Sequence, residues 1–137
     1  MIMHGRLRDW LIECEKLKLE PYIDSVGKTT IGVGRNLTDR GISRKEALFL
    51  LEEDVAICMK ELEAHSWYTK QPPGVKEALI NMCFNLGMPR LLAFKKMILA
   101  LDATNYHHAA IEALDSRWAT QVGDRAKQVA ERIRDGR

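Results

Sequence analysis

Paired cysteines, metal-ligand spacings and long apolar runs are scarce in this sequence, and each shortage argues against a class of function. Cysteine occurs three times in 137 residues, at Cys14, Cys58 and Cys83. The number is odd, and each falls within an apolar helical pattern. That speaks against a disulfide framework or a zinc site, and is read as three reduced core residues of a protein folded in a reducing compartment. His107 and His108 are read as surface residues with no Glu or Cys at ligand spacing, so no metal is expected. The opening Met1-Ile2-Met3-His4-Gly5-Arg6 has no apolar run long enough for a signal peptide, and no stretch reads as a membrane span. The expectation is a chain made soluble. One-sided charge is missing too: 21 basic against 19 acidic residues give a net +2, which favours neither nucleic acid nor a strongly acidic partner.

What is present suits one catalytic unit. With 46% hydrophobic residues, the chain can build one sizeable core or two small lobes sharing a helix, but not two independent domains. Its charges are unevenly placed. Residues 42–64 hold Arg44, Lys45 and Lys60 against Glu46, Glu52, Glu53, Asp54, Glu61 and Glu63, whereas from Arg117 onward there are six basic side chains and three acidic. A basic end suits an anionic polymer, or is simply a solvated helix face.

The chemically richest stretch runs from Glu15 to Gly34. Pro21–Asp24 and Lys28–Gly34 suit short strands, with Ser25-Val26-Gly27 as the turn and a glycine for positive φ. Alternation puts Tyr22 and Asp24 on one face and Ile23 on the other, while Ile31 and Val33 oppose Thr30, Gly32 and Gly34. The glycines either mark a bulged hairpin or leave a bare surface for close approach by an extended ligand. Two carboxylates flank this pattern. Glu15 stands near the end of the first helical pattern, where the helix dipole and an apolar setting favour a proton-donating carboxyl. Asp24 lies on a polar turn that leaves it ionised, and Thr30 could orient a water. Contrasting carboxyls are what glycoside cleavage uses. Singly, each has a plainer reading: a solvated helix-end charge for Glu15, a local backbone cap for Asp24.

The run Glu15, Tyr22-x-Asp24, Gly27 and Thr30-Ile31-Gly32-x-Gly34 resembles the catalytic signature of the T-even phage-type lysozymes, glycoside hydrolase family 24. The resemblance continues in Ala78–Gly87, Ala93-Phe94, Ser116-Arg117-Trp118 and Asp124-Arg125-Ala126-Lys127, and covers nearly the whole chain. It implies Glu15 as general acid, Asp24 as the carboxylate supporting the attacking water, Thr30 as the side chain positioning that water, and Arg125 as the acid's basic partner. Asn81 and Asn85, at i and i+4 on one helix flank, either bond neighbouring loops or offer donors and acceptors to sugar hydroxyls and N-acetyl groups. Tyr22, Gly32, Arg117 and Gln121 complete the expected substrate contacts.

The sequence also departs from the family. Lys16 stands where many relatives have glycine directly after the acid, which restricts the helix end and adds a positive charge. Arg35 stands where many have histidine, and the connection Arg35–Gly41 is short. The chain ends at Arg137, before the final element of longer members.

The remaining elements follow from pattern. Leu7, Trp10, Leu11 and Cys14 mark the buried face of a first helix, with Glu15 and Glu13 at opposite edges, which periodicity alone does not separate. Ser43-Arg44-Lys45-Glu46 reads as a capping box with Ile42 as its staple. It opens a long helix to about residue 65 whose apolar face is Ala47, Leu48, Leu51, Val55, Cys58, Met59 and Leu62. A loop from Ser66 to Pro72 precedes a helix from Pro73 that buries Val75, Ala78, Leu79, Met82, Cys83 and Leu86 and closes at Gly87. Further helices are expected through Leu91, Leu92, Phe94 and Ile98, over Tyr106–Ser116 and over Gly123–Ile133. Trp118 lines a cleft or, like most aromatics at helical spacing, fills the core.

The expected fold is α+β and mainly helical, a lysozyme-like single domain over 1–137. It has a small hairpin lobe at about 13–42, a connecting helix at about 43–65, and a helical lobe at about 66–137 that also receives the N-terminal helix. The resemblance implies a cofactor-free monomer that hydrolyses the β-1,4 bond between N-acetylmuramic acid and N-acetylglucosamine in peptidoglycan, with inversion. It implies an endolysin held in the host bacterial cytoplasm until a holin-type partner releases it, without stable membrane insertion. Two other readings compete. A lytic transglycosylase needs only one acid/base Glu, against which Asp24 and Thr30 speak, and a non-catalytic wall-binding module would have lost the acid, whereas Glu15 is present.

Overall fold

The computed structural model describes residues 4–137, so the reading of Met1–Arg6 as free of a leader lies partly outside the described residues. The chain forms two compact units, one ending at Phe49 and one spanning Leu50–Arg137. Among the described residues no helix is long and apolar enough to cross a membrane.

The first unit opens with α1 (Gly5–Glu15), which ends where Lys16 turns to φ 68°, its N–H still bonded to Ile12 C=O. The expected buried face of α1 is a correction. Leu7, Trp10, Leu11 and Cys14 are all exposed, Trp10 at 64%, and the helix buries no residue. Periodicity identifies which side of a helix is apolar, but not whether anything covers it. Three strands follow, β1 (Leu17–Ile23), β2 (Thr29–Val33) and β3 (Arg35–Asn36), in an antiparallel sheet of that order. β1 thus begins at Leu17 rather than Pro21, and β2 stops short of Gly34.

Proline explains why the first half of β1 was illegible. The pairs Lys18↔Gly32 and Tyr22↔Thr30 span four residues on β1 but two on β2, so the strand bulges around Leu19-Glu20-Pro21. Pro21 has no N–H to give a ladder and is tolerated at such an irregularity. Alternation beyond it holds, with Tyr22 and Asp24 half-buried and Ile23 exposed. The polar connection after Gly34 is folded rather than open. It contains β3 and α2 (Leu37–Arg40), whose N-cap Asn36 accepts the Asp39 N–H. α3 (Arg44–Leu62) then starts at the expected capping box: Glu46 N–H donates to Ser43 Oγ at 3.1 Å and Ser43 N–H to Glu46 Oε1 at 2.8 Å.

α3, which begins in the first unit and ends in the second, buries only Cys58 and Leu62, not the whole apolar face, and Leu48, Leu51 and Met59 remain exposed. The expected loop at Ser66 contains α4 (Ser66–Thr69), whose Trp67 and Tyr68 are buried. α5 (Pro73–Leu86) is the centre of the core, burying the six residues that its period selects. Truncating its fully buried Leu79 to Ala would cost about 2–5 kcal/mol. The next apolar stretch is two helices, α6 (Met88–Leu92) and α7 (Lys95–Asp102), broken at Phe94. α8 (Tyr106–Leu114) presents Ala109, Ala110 and Ala113, small enough for close approach to the Ala126, Val129, Ala130 and Ile133 stripe of α10 (Asp124–Asp135). Between them lies α9 (Arg117–Val122), capped by Ser116 Oγ, which accepts the Ala119 N–H.

Two sets of long-range hydrogen bonds tie the second unit together. Gln71, 4% exposed, donates to the carbonyls of Trp67 and Leu101 and accepts from Tyr106 Oη at 2.7 Å, so its amide is satisfied. The Arg137 carbonyl accepts the N–H groups of Gly74 and Val75, covering donors that the first turn of α5 leaves unpaired. Of the cysteines, Cys58 and Cys83 are core residues as expected and Cys14 is not. Burial, reinforced by a hydrogen bond with the Cys58 thiol, pushes the Cys83 thiol up to about 12.

Candidate active site

Asp24 and Thr30 are joined through one residue between them, Lys28. Asp24 Oδ1 accepts the N–H of Lys28 at 2.8 Å and that of Val26 at 3.0 Å, closing the turn with Gly27 at φ 84°. The Lys28 carbonyl in return accepts the Asp24 N–H at 2.9 Å and the Thr30 hydroxyl at 3.0 Å. Asp24 is therefore a local backbone cap through Oδ1, as its plainer reading has it, while Oδ2 takes part in neither turn bond. Thr30 is 3% exposed, and a hydroxyl whose proton is aimed at Lys28 presents lone pairs elsewhere. Pairing of Tyr22 with Thr30 sets this arrangement in the sheet, and the Lys18 ammonium sits 5.4 Å from the Tyr22 ring centre.

Glu15 is the last residue of α1, exposed, with its carboxyl against Gly34 at the end of β2. The apolar setting expected for it is absent from that surface. Gly32 and Gly34 both have positive φ, 71° and 68°, and together they reverse the chain so that Ile31 can pair with Arg35. Gly32 has open space where a side chain would be. Arg35 forms an ion pair with Glu46, a contact between residues eleven apart that no local pattern encodes.

The site residues of the second unit are engaged with one another. Arg125 donates from Nε to Asn81 Oδ1 at 2.8 Å and from Nη2 to the Asn81 carbonyl at 3.3 Å. Asn85 Oδ1 accepts the Trp118 indole N–H at 2.7 Å. The sequence left Trp118 between core and cleft, and it is both: 3% exposed, edge-on to Phe94 with ring centres 6.1 Å apart, and part of the wall of an open cleft of about 500 Å³. Arg90, Lys95, Lys96 and Arg117 bring positive charge to that cleft, and Glu112 and Asp115 negative charge. Gln121, on α9, is exposed. His108 corrects one expectation: Glu112, at i+4, stands 3.5 Å from its Nε2. Among the described residues no group of three or more His, Cys, Asp or Glu is placed to hold a metal ion.

Two features of this geometry are not legible in the sequence, the role of Lys28 and the bond from Trp118 to Asn85. Lys28 contributes through its backbone, for which the nearest signal is an Asp three residues ahead of a turn glycine. Trp118 orients Asn85 across 33 residues, and nothing local points to that pair.

Comparison with known proteins identifies the family. The family model described as phage lysozyme matches residues 12–135. Among relatives, probable T4-type lysozyme 2 of Dictyostelium discoideum is 29% identical, over 93% of this chain and 92% of its own length. Probable T4-type lysozyme 1 of the same organism is 27% identical, over 98% and 96%. The pre-baseplate central spike protein Gp5 of Enterobacteria phage T4 is 28% identical over 84% of this chain, which corresponds to 25% of that protein. With a family model spanning nearly all of its length, from the helix that carries Glu15 to the last turn of α10, the chain belongs to the phage lysozyme family, glycoside hydrolases that act as muramidases on peptidoglycan.

Proposed function

We propose that this muramidase cleaves the β-1,4 bond between N-acetylmuramic acid and N-acetylglucosamine with inversion, Glu15 acting as general acid, Asp24 as general base and Thr30 as the water's second anchor. The observation that carries the reading is the shared hold of Lys28 on Asp24 and Thr30. With Oδ1 spent on backbone N–H groups, Asp24 Oδ2 can take one proton of a water, and the Thr30 oxygen, its own proton committed to Lys28, can accept the other. A water held by two acceptors has its lone pair left for the anomeric carbon. Glu15 would protonate the leaving oxygen from the opposite side, so that the bond to that oxygen breaks as the water adds. Within the first unit Tyr22 and Gly32, and within the second Asn81, Asn85, Arg117 and Gln121, are each read as contacts to the glycan strand. The biological task is read as that of an endolysin, released to the wall by a membrane-permeabilising partner. A tail-borne role is the second reading, favoured by the likeness to a phage protein named as a central spike.

Two measurements on purified peptidoglycan test the chemistry. Proton NMR read before mutarotation should show the α-anomer first, and an initial β-anomer would mean that a carboxylate or the substrate itself attacks the sugar. Mass spectrometry of the products should show hydrated reducing ends, and 1,6-anhydro ends would replace the hydrolase with a transglycosylase.

A further inference from the structure

We infer that Gly34 is a positioning residue for the acid: the space left by its missing side chain is the seat of the Glu15 carboxyl. The inference rests on the reading of Glu15 as the proton donor. A Cβ built on Gly34 would stand 2.6 Å from Glu15 Oε2, 3.0 Å from Cδ and 3.2 Å from Cγ. All three distances fall inside ordinary van der Waals contact, so the end of the Glu15 side chain lies along the face of the glycine. The other glycines of this unit differ. Gly5, Gly27, Gly32 and Gly41 have nothing within 4 Å of where a Cβ would be.

Two demands therefore meet at one position. The chain reversal requires φ 68° at Gly34, which an asparagine could also adopt at modest cost. The carboxyl requires a bare Cα, which only glycine supplies. The second demand concerns chemistry more than stability. What a methyl group would strike is the tip of a flexible side chain, which can swing aside while the fold survives. A displaced proton donor is costly, because protonation of the leaving oxygen needs hydrogen-bond reach, and a shift of about 1 Å lowers rates by up to a hundredfold. The root of the side chain gives no compensating hold, since Glu15 is the last helical residue and Lys16 has already left the helix.

The experiment compares Gly34→Ala and Gly34→Asn with Gly41→Ala, a glycine of positive φ (63°) with open space around it, on soluble uncross-linked peptidoglycan. Both Gly34 variants should fold, with thermal midpoints near that of Gly41→Ala. Their kcat should fall by at least about tenfold while KM stays within about twofold, whereas Gly41→Ala keeps both. If both Gly34 variants retain the kcat of Gly41→Ala, or raise KM instead, or fail to fold, the position serves the backbone alone and the inference is overturned. Glu15→Gln, measured beside them, separates this from failure of the underlying reading. A fully active Glu15→Gln removes the acid assignment, whereas an inactive Glu15→Gln with unimpaired Gly34 variants removes only the role of Gly34.

Discussion

Arg35 and Glu46 meet through two parallel hydrogen bonds, Nη1 to Oε1 at 2.8 Å and Nη2 to Oε2 at 2.7 Å, and the same Oε1 accepts the Ser43 N–H. One carboxylate thus caps α3 and ties it to β3. The Arg35 guanidinium, followed by the Ser43 N–H, holds Glu46 at about 2, well below its ordinary 4.5.

That depression fixes a pH dependence. A carboxyl whose folded-state value is lowered contributes stability that is present above 4.5 and is lost as pH falls toward about 2. Glu46→Gln should therefore be less stable than wild type at neutral pH, and the gap in thermal midpoint should close across that window. Because the pair is partly exposed, raised salt should narrow the gap at neutral pH as well. A gap that stays constant from neutral pH down to about 2 would show that Glu46 acts through its cap geometry and not through its charge.

Lys16 makes the second prediction. Its φ of 68° with ψ of 146° is a backbone region that residues with a side chain rarely enter, at a cost of order 1–3 kcal/mol. Glycine relieves the strain but gives back part of it as unfolded-state entropy. Lys16→Gly should therefore stabilise by about 1 kcal/mol and raise the thermal midpoint by about 4 °C. A calorimetric scan showing no rise would mean that the helix end is not strained.

The third prediction follows from the cysteines. Cys14 is exposed, whereas Cys58 and Cys83 are buried and burial keeps the Cys83 thiol protonated far above neutral pH. A thiol reagent at neutral pH should label Cys14 rapidly, and mapping by mass spectrometry should find Cys58 and Cys83 modified only after unfolding. Rapid labelling of Cys83 in the native protein would contradict its burial in the core.

Which of these features could be read from the sequence depends on how local their cause is. The Ser43–Glu46 capping box and the buried stripe of α5 are written in spacings of three and four residues, and both are as expected. The exposure of Cys14 and Trp10 was not legible, because the same spacing describes an apolar face whether or not it is covered. β1 was cut short by Pro21, which reads as a strand breaker unless the bulge is known. The candidate site divides the same way. The turn cap of Asp24 is local and readable, but the ties of Arg35 to Glu46, Asn85 to Trp118 and Asn81 to Arg125 reach across 11, 33 and 44 residues and exist only in the fold.

Asp24 carries two roles that a pair of substitutions can separate. Its Oδ1 accepts the N–H groups of Val26 and Lys28, and its charge is proposed to take a proton from the attacking water. Asparagine keeps a carbonyl oxygen at Oδ1 and so keeps both turn bonds, but its amide nitrogen cannot serve as a base. Asp24→Asn should therefore melt within a degree or two of wild type while losing at least about a hundredfold in kcat. Alanine removes the acceptor as well. Asp24→Ala should lose similar activity and, with two donors of the turn left to water, about 1–2 kcal/mol of stability. The comparison to make is kcat on purified peptidoglycan beside thermal melting for both variants. Should Asp24→Asn remain active while Asp24→Ala is impaired in both respects, Asp24 would be a turn residue only, and the base would have to be sought elsewhere on the hairpin.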